Sequence, residues 1–510
     1  MIYALTAAQL RQAEERAVAG GGVTLGDLMD RAGTALARVC AERVPEGRVA
    51  VLSGAGNNGG DGWVAARALH EEGRDVHVFG VLGPDRLSGA AADAARRAAE
   101  SGVSWSLGLP GGPSPAELAR YSVVVDALLG IGLSGPVREE LVPWIETCNG
   151  VGAFVVSADV PSGVDSDTGK VEGVAIEADV TVTFSAPKVG LVQYPGAGYA
   201  GEIIVEDVGV PGTLLLPAGA PEIWSPAEYR ALLPLPAPDD HKNLRGRVLV
   251  IAGSGAYPGA AVMAVQGAQR MGAGYVALAA PESAVSAARA HLTSAVVVSM
   301  PENPSHTFAS KDAEPLLDLA RDYDAVVLGP GLTLSRGAAV IARTLVAQLP
   351  TPLVIDADAL NALVDATSIL ARRDAPTVIT PHPGEAGRML GVSTEEIQAN
   401  RLSSVKALAQ GRTACVLKGA GTLISGSGRV VVNTSGSVAL AKAGTGDVLA
   451  GMIGTLLAQG LAPLDAGVLG AYLHGRAGEA AAEELTPICV RAEDVCDHLP
   501  DAVAEMLGGW

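Results

Sequence analysis

A glycine-rich segment in the last quarter of the chain carries a carboxylate beside a potential anion site. Lys442-Ala-Gly-Thr-Gly-Asp447 precedes VLAGMIGTLLAQG, which we predict to be a helix. Consecutive backbone N–H groups at a helix N-terminus bind phosphate well. An adjacent carboxylate can take the proton of a hydroxyl during phosphoryl transfer. We therefore expect Asp447 to be a catalytic base; the alternative is a helix cap stabilised by the dipole.

Polar groups also follow several apolar runs earlier in the second half. These segments are Arg247–Ala260, Gly329–Gly331, Asp356–Asn361, Thr380–Glu385 and Lys418–Thr422. His382 lies between two prolines, and we favour a ligand contact over a packed loop histidine. Asp356 and Asp358 can hold the waters of a magnesium–phosphate group, or Asp358 caps the next helix. We expect His474, within a predicted helix, to be structural.

The first half contains one glycine-rich loop, Ser53–Gly62, with glycines at the GxGxxG spacing. It follows a predicted strand and opens a helix, where backbone N–H groups can cradle phosphate. A dehydrogenase of this type also needs an acidic residue at the end of the next strand, and VHVFGVLG has none. The loop is therefore a phosphate site or only a tight turn. Asn57, Asn58 and Asp61 favour polar ligands.

Two further segments of the first half end a predicted strand with a carboxylate. Val123–Gly135 carries Asp126, and Ser157–Asp165 carries Asp159. Ligands of open α/β sheets bind at the carboxyl ends of the strands, so these loops and the glycine-rich loop can converge. The alternative for either aspartate is a cap of a turn or helix.

Short β-branched runs that alternate with Ala-rich stretches predict parallel α/β sheets. The predicted helices include Gly62–Glu72 and Ala260–Met271. The predicted strands are Val49–Ser53, Val76–Phe79, Val123–Val125, Ala153–Ser157, Val180–Phe184, Val248–Ile251, Tyr275–Ala279, Ala325–Leu328, Leu353–Ile355, Thr377–Thr380 and Ala414–Leu417. A Pro-rich, aperiodic stretch between about Val208 and Arg247 interrupts the alternation. We therefore expect two domains, residues 1–212 and 222–510.

Composition excludes several classes of protein. The net charge is −19 over 510 residues and no basic cluster stands out, so nucleic acid is not expected as a partner. The longest apolar run, Val448–Leu464, is shorter than the roughly 20 residues of a membrane span. The first residues show no signal peptide. Five cysteines without a CxxC pair indicate a reduced, cytoplasmic compartment and argue against zinc.

The first half resembles the NAD(P)H-hydrate epimerase domain over residues 1–212. The motifs that carry the resemblance are GNNGGDG, VDALLGIGLSG, SADVPSGVDSDTG and TVTFSAPKVGL, with QLRQAEE and LMDRAG before them. The resemblance implies a Rossmann-like, three-layer fold that interconverts the R and S hydrates. It also implies a potassium ion on Asn58, Asp126 and Ser162, and Asp159 as the acid/base. Oxygen ligands suit a hard cation.

The same resemblance implies which residues bind the hydrate in the first half. They are Asn57, Asn58, Gly59, Gly60, Asp61, Gly130, Ile131, Gly132, Leu133, Ser134, Gly135, Pro136 and Asp159. Ile131 departs from the family, which often has threonine there. This change removes a hydroxyl near the ligand, whereas we expect the backbone path to be retained.

The second half resembles the ADP-dependent NAD(P)H-hydrate dehydratase domain of the ribokinase-like superfamily, over about residues 222–500. The matching motifs are VIAGS, YPGA, GPGL, DADALNAL, TPHPGE, LKGAGT and AGTGDVLAG. The resemblance implies an α/β domain that binds ADP with magnesium. The assignment of ADP rather than ATP as the co-substrate rests on the resemblance alone. Relatives of both domains commonly self-associate, so a homo-oligomer is expected.

This second resemblance implies a hydrate site and a nucleotide site. Ala260, Gly331, His382 and Asp447 would contact the hydrate. The nucleotide would contact Lys418, Gly419, Ala420, Gly421, Thr422, Gly444, Thr445 and Gly446, with Asn433 and the residues after it as further candidates.

The sequence as a whole favours a bifunctional repair enzyme for hydrated NADH and NADPH (NADHX and NADPHX). The first domain equilibrates the epimers; the second phosphorylates the S hydrate with ADP and eliminates phosphate. One alternative is a small-molecule kinase with a regulatory N-terminal domain. The other is a scaffold, against which Asp159 and the complete Asn-Asn-Gly-Gly-Asp loop argue.

Overall fold

A computed structural model describes residues 1–108, 111–133 and 135–508. The chain divides into two compact units, Ile2–Pro221 and Glu222–Trp510. None of the helices described is long and apolar enough to cross a membrane.

The first unit is built on a seven-stranded sheet in which all neighbouring strands are parallel. The order is β4-β3-β2-β5-β6-β7-β8. The strands are β1 (Ile2–Tyr3), which lies outside this sheet, β2 (Val49–Ser53), β3 (Val76–Gly80), β4 (Ser104–Leu107), β5 (Val123–Ala127), β6 (Phe154–Ala158), β7 (Val180–Phe184) and β8 (Glu202–Glu206). The helices are α1 (Ala7–Ala19), α2 (Leu25–Arg43), α3 (Asn57–Glu71), α4 (Gly89–Glu100), α5 (Pro115–Leu118), α6 (Val142–Gly150) and α7 (Gly196–Tyr199).

Helices cover both faces of this sheet. Successive side chains of a strand point to opposite faces, and every residue of β2 is buried. Val49 and Val51 pack in one core with α2, α3 and α4. Ala50 and Leu52 pack in the other core, which contains Trp144 of α6. The three-layer α/β arrangement predicted for the first half is thereby confirmed.

The second unit contains a mixed sheet of ten strands in the order β9-β18-β17-β16-β15-β14-β13-β10-β11-β12. The strands are β9 (Glu222–Ile223), β10 (Arg247–Ile251), β11 (Tyr275–Pro281), β12 (Val296–Met300), β13 (Ala325–Leu328), β14 (Leu353–Ile355), β15 (Thr377–Ile379), β16 (Thr413–Leu417), β17 (Leu423–Gly426) and β18 (Arg429–Val432). Strands β10 to β16 pair in parallel, whereas β17 is antiparallel to both neighbours. The sequence therefore predicted six of the seven parallel strands β10–β16, but it missed the edge strand β12 and the antiparallel hairpin β17–β18.

Fourteen α-helices belong to the described part of the second unit. They are α8 (Pro226–Leu232), α9 (Pro258–Arg270), α10 (Glu282–Ala288), α11 (Ala313–Ala320), α12 (Arg336–Gln348), α13 (Asp358–Ala362), α14 (Ser368–Arg372), α15 (Pro383–Leu390), α16 (Thr394–Ala399), α17 (Arg401–Leu408), α18 (Thr445–Ala458), α19 (Pro463–Cys489), α20 (Ala492–Asp497) and α21 (Leu499–Leu507).

Close packing of α9 against α18 fixes the helix that carries Asp447. A Cβ on Gly451 would lie 1.9 Å from the Ala264 carbonyl oxygen, and one on Gly267 would lie 2.3 Å from the Val448 carbonyl oxygen. Only glycine allows two backbones to approach this closely. The contact with α9 therefore fixes the position of α18, which carries Asp447 in its first turn.

Candidate active sites

A cavity of about 720 Å³ lies in the first unit, at the carboxyl ends of its strands. Nine of the predicted substrate residues line it: Asn57, Asn58, Asp61, Gly130, Ile131, Gly132, Leu133, Pro136 and Asp159. Ser134 lies outside the described residues. Gly59, Gly60 and Gly135 are not part of the cavity wall. Gly59 is instead packed on the strand-to-helix turn, where a Cβ would lie 2.1 Å from the Gly54 carbonyl oxygen.

Asp126 is completely buried beside this cavity and accepts hydrogen bonds from neutral groups. Ser162 donates its hydroxyl to Oδ1 (2.6 Å) and its N–H to Oδ2 (2.8 Å), and the Ser157 hydroxyl donates to Oδ2 (2.8 Å). The Leu128 N–H also donates to Oδ1, at 3.3 Å. Burial raises the pKa of Asp126, and these hydrogen bonds oppose the rise. The only partners of this carboxylate in the described residues are uncharged.

Asn58 approaches the same cluster from the first turn of α3. Its amide nitrogen donates to the Leu129 carbonyl oxygen at 2.9 Å, and the Ser162 hydroxyl oxygen accepts from the Leu129 N–H at 2.8 Å. The structure therefore brings Asn58, Asp126 and Ser162 together around one loop. Asp126 caps a local turn through the Leu128 N–H, as the alternative interpretation proposed. Its hydrogen bonds with Ser157 and Ser162 also link β6 and the loop after it to β5.

Asp159 is a buried carboxylate on the cavity wall, and it is paired with a buried lysine. The Lys188 ammonium group contacts Asp159 Oδ1, and it also donates to the Thr183 hydroxyl (2.9 Å) and the Phe184 carbonyl oxygen (3.1 Å). The Phe184 N–H donates to the same Oδ1 at 3.2 Å. Asp159 has φ of 66°, a left-handed conformation that is costly for a residue other than glycine. The strained backbone points to a position held for function.

Three further carboxyl groups, those of Glu14, Glu15 and Asp61, line this cavity with Asp159. Burial raises the pKa of Asp61 well above its ordinary value, and the charges of Asp159 and Glu14 add to the rise. Burial and the charge of Asp159 also raise the pKa of Glu14. The cavity thus combines an ion-paired carboxylate with two carboxyl groups, Glu14 and Asp61, whose pKa is raised by burial and by neighbouring negative charge.

In the second unit, three neighbouring strand ends meet in a charged cluster. Lys418, after β16, places its ammonium group 3.0 Å from Oδ1 of Asp356, which follows β14. The hydroxyl of Thr380, after β15, donates to the same oxygen at 2.7 Å. Burial lowers the pKa of Lys418, but the nearby carboxylates of Asp356, Glu385 and Asp447 outweigh it, so that the pKa is raised. Lys418 is therefore a fixed positive charge.

Asp447 lies in the first turn of α18 and faces this cluster. A Cβ on the preceding Gly446 would lie 3.3 Å from the Lys418 ammonium nitrogen. The helix has Gly444 at its N-cap, with φ of 98°, and no side chain caps it. Burial and the charge of Asp356 raise the pKa of Asp447 to about 7, and Lys418 opposes this rise. A carboxyl group that titrates near neutral pH is suited to general base catalysis.

His382 caps α15 and belongs to the same edge of the sheet. Its Nδ1 accepts from the Gly384 N–H at 3.0 Å, while Glu385 accepts from the His382 N–H at 2.9 Å. Burial and the charge of Lys418 lower the pKa of His382. Burial raises the pKa of Glu385 to about 7, against the effect of Lys418. About half of the His382 side chain is exposed, so the ring is accessible to a ligand.

Ala260 and Gly331 are brought together at the start of α9. A Cβ on Gly331 would lie 3.0 Å from that of Ala260 and 2.9 Å from that of Tyr257. Asp358 is the first residue of α13 rather than its cap, and its carboxylate accepts from the Thr333 N–H at 2.8 Å. The helix-cap interpretation of Asp358 is therefore wrong.

Arg401, a buried residue of α17, stabilises the loop Lys418–Thr422 through hydrogen bonds to its backbone. Its guanidinium donates to the carbonyl oxygens of Leu417 (3.2 Å) and Gly421 (3.3 Å), and it lies 3.5 Å from that of Lys418. Burial lowers the pKa of Arg401 to about 10. Asn433, the residue after β18, donates its N–H to the Thr422 carbonyl oxygen at 2.9 Å and so lies beside the end of this loop. These contacts fix the position of the loop Lys418–Thr422.

His474 is buried in α19 beneath the start of α18. Burial lowers its pKa to about 4, against the effect of a hydrogen bond to the Thr445 backbone. It is therefore a neutral, packed histidine, in agreement with the structural role predicted for it.

Comparisons with known proteins identify the family. A family model described as NAD(P)H-hydrate dehydratase matches residues 248–501, and one described as YjeF-related protein N-terminus matches residues 25–190. A protein of Thermofilum pendens named bifunctional NAD(P)H-hydrate repair enzyme Nnr is 38% identical, over 94% of this chain and 92% of its own. The chain belongs to the bifunctional NAD(P)H-hydrate repair enzymes.

Other members of this repair-enzyme family match at similar coverage. The Moorella thermoacetica protein of the same name is 36% identical over 98% of this chain and 96% of its own length.

A solved structure of the ADP/ATP-dependent NAD(P)H-hydrate dehydratase of Bacillus subtilis, co-crystallised with ATP/Mg²⁺, is 31% identical. It covers 56% of this chain and 98% of the Bacillus chain, with a TM-score of 0.48.

Several residues of this family member went unnoticed in the sequence although they shape the two sites. Lys188 and Glu14 lie within TVTFSAPKVGL and QLRQAEE, motifs that were recognised without a role for either residue. A lysine four residues after an apolar strand was a usable signal, because buried lysines are rare and need a partner. Arg401 lies outside every recognised motif and gave no such signal.

Proposed function

We propose that the first unit interconverts the R and S hydrates of NADH and NADPH, and that the second dehydrates the S form. In the second reaction ADP phosphorylates the hydrate, which then loses phosphate to give NAD(P)H, while ADP becomes AMP. The observation that carries the proposal is the pair of sites: each unit gathers buried carboxyl groups at the carboxyl ends of its strands.

In the first unit, Asp159 is the acid/base group of epimerisation. Exchange of the hydroxyl between the two faces of the ring breaks one C–O bond and forms another, so one face needs a proton donor and the other an acceptor. Asp159 is ion-paired and serves as the acceptor. The high pKa of Asp61 makes it the donor on the opposite face. The loops Asn57–Asp61 and Gly130–Pro136 hold the hydrate.

The residues proposed to bind potassium fit a monovalent cation. Asp126 is a fully buried carboxylate with only neutral donors among the described residues, and burying such a charge without compensation is costly. The amide of Asn58 uses its nitrogen for Leu129, so its oxygen is left for a ligand. Together with the Ser162 hydroxyl, this is an all-oxygen donor set. A bound cation would supply positive charge beside the hydrate site.

In the second unit, Asp447 takes the proton of the hydrate hydroxyl as its oxygen attacks the β-phosphorus of ADP. The bond to the bridging oxygen breaks and AMP leaves. Backbone N–H groups of Gly444, Thr445 and Gly446 bind the transferred phosphoryl group, and Lys418 supplies positive charge beside it. Ala260, Gly331 and His382 contact the hydrate, and the loop Lys418–Thr422 contacts the nucleotide.

Magnesium fits this site only together with the nucleotide. No group of three or more His, Cys, Asp or Glu side chains in the described ranges is arranged to hold a metal. Mg²⁺ usually keeps several waters and uses phosphate oxygens with one or two carboxylates. Asp356 and Asp358 would hold such waters. The ion would neutralise phosphate charge when bound with ADP.

Location and assembly complete the proposal. The five cysteines are free, and four of them are buried, which suits a reducing, cytoplasmic compartment. We expect self-association, as in relatives of both domains, and sedimentation of the purified chain measures it directly.

Reciprocal variants of the full chain test the assignment of the two reactions. Asp159→Asn should lower epimerisation by about 10²–10⁴-fold and leave dehydration of pure S hydrate unchanged. Asp447→Asn should do the reverse. Loss of both reactions in either variant, with an unchanged thermal transition, would contradict the division of labour.

A further inference from the structure

Lys188 is a fully buried lysine whose ammonium hydrogens are all engaged. Its three acceptors are Asp159 Oδ1, the Thr183 hydroxyl at 2.9 Å and the Phe184 carbonyl oxygen at 3.1 Å. Burying an ammonium group is costly unless it is paired and hydrogen-bonded. The surrounding structure therefore holds this charge at one place, next to the carboxyl group proposed as the proton acceptor.

The contacts of Asp159 are unequally divided between its two oxygens. Oδ1 receives the Lys188 ammonium, the Phe184 N–H at 3.2 Å and the Thr183 hydroxyl at 3.4 Å. No hydrogen bond from the described residues reaches Oδ2. Asp159 lines the cavity, so one oxygen is anchored and the other is left for the ligand.

The remaining charges around the cavity do not replace Lys188. Glu14, Glu15 and Asp61 are carboxyl groups. The two arginines on the cavity wall, Arg11 and Arg138, are exposed, and the Arg11 guanidinium donates to the Ile131 carbonyl oxygen at 2.8 Å. Lys188 also opposes the pKa rise of Glu14 and of Asp61. It is the cation that compensates the Asp159 carboxylate in the described part of the unit.

We propose that Lys188 is a positioning residue of the epimerase, which fixes Asp159 as a carboxylate through Oδ1 and leaves Oδ2 as the proton-transfer atom. The inference rests on the proposed epimerase function. In the step concerned, incoming water loses a proton to Oδ2 as its oxygen bonds to the ring carbon. The hydroxyl departing from the other face gains a proton from Asp61 and leaves as water. Transfer of the proton from Asp159 back to Asp61 through water restores both groups.

The test compares Lys188→Met with Lys188→Arg and with Lys170→Met in the full chain. Methionine removes the charge at similar length, arginine keeps it, and Lys170 is an exposed lysine of the same unit that serves as the control. Epimerisation of R-NADH hydrate is followed as a function of substrate concentration, so that kcat and KM are obtained separately. Dehydration of the S hydrate by the same samples checks the second unit.

Lys188→Met should lower kcat of epimerisation by about 10²-fold or more, with KM changed less. Lys188→Arg, which keeps a positive charge beside Oδ1, should recover most of the loss in kcat. Lys170→Met should match the wild type throughout.

A merely structural role for Lys188 makes different predictions. A rate within about threefold of the wild type for Lys188→Met, or a kcat for folded Lys188→Arg as low as that for Lys188→Met, overturns the proposal. Should Lys188→Met unfold, the double variant Asp159→Asn/Lys188→Met decides, because it removes both buried charges. Its thermal transition should recover while epimerisation stays lost; no recovery also overturns the proposal. If the wild type itself fails to epimerise, the proposed function is wrong, whatever the variants show.

Discussion

Asp447→Asn isolates the proposed proton transfer of the dehydratase. The substitution keeps the size of the side chain and the start of α18, whose N-cap geometry depends on Gly444 rather than on Asp447. The phosphate-binding N–H groups should therefore stay in place. What disappears is the carboxyl group whose pKa burial and Asp356 raise to about 7. ADP affinity should be equal or higher, because a negative charge near phosphate is removed.

Two magnitudes are expected in this experiment. Loss of a general base lowers turnover by about 10²–10⁴-fold. In the wild type, a base with a pKa of about 7 is ionised to about one tenth at pH 6 and nine tenths at pH 8. The rate should therefore rise about tenfold between these pH values and level off above them. In Asp447→Asn this tenfold rise should be absent.

The assay measures dehydration of pure S hydrate against pH, with ADP affinity by calorimetry on the same preparation. Glu385 needs its own variant, because burial also raises its pKa to about 7. Glu385→Gln should keep the tenfold rise, and the exposed Asp365→Asn should match the wild type. Near-normal turnover in Asp447→Asn would make Asp447 a helix cap, and loss of the pH dependence only in Glu385→Gln would transfer the role to Glu385.

Three further predictions concern the ions, the buried charges and the two units. Asp126→Ala should abolish the potassium dependence of epimerisation and lower its rate, while dehydration stays intact; equal wild-type rates in potassium and in a bulky organic cation would refute the cation site. Asp61→Asn should slow epimerisation but raise Tm at pH 8 more than at pH 4.5. Folding raises the pKa of Asp61, so the folded wild type loses stability as the pH rises above the pKa of this group in the unfolded chain. An equal change in Tm at the two pH values would contradict this. Separate chains cut at Pro221/Glu222 should each retain one reaction; two folded but inactive fragments would argue for interdependence.

The sequence predicted the loops of both sites because they follow parallel strands. Carboxyl ends of such strands share one edge. Asp356, Thr380 and Lys418 each belong to a segment that was singled out at the end of a predicted strand, and the three side chains are in contact. Glycine spacing and strand position together were sufficient for this, without knowledge of the packing.

Edge elements and single buried charges escaped prediction for physical reasons. Strand β8 reads EIIVE and is partly exposed, so it lacks the apolar run of a central strand. The hairpin β17–β18 turns at Ser427, outside the parallel pattern. Lys188 and Arg401 are single charges whose partners are distant loops or backbone carbonyls, and sequence periodicity contains no information about such partners.

The measurement that tests the central claim most directly is recovery of the absorbance of the reduced nicotinamide ring from a mixture of R and S hydrates. With the full chain and ADP, recovery should be complete, one AMP and one phosphate should form for each NAD(P)H, and Asp159→Asn should stop near the S fraction when spontaneous epimerisation is slow. A stable phosphorylated product without recovery of the absorbance, or no consumption of ADP or ATP with either hydrate, would contradict the account.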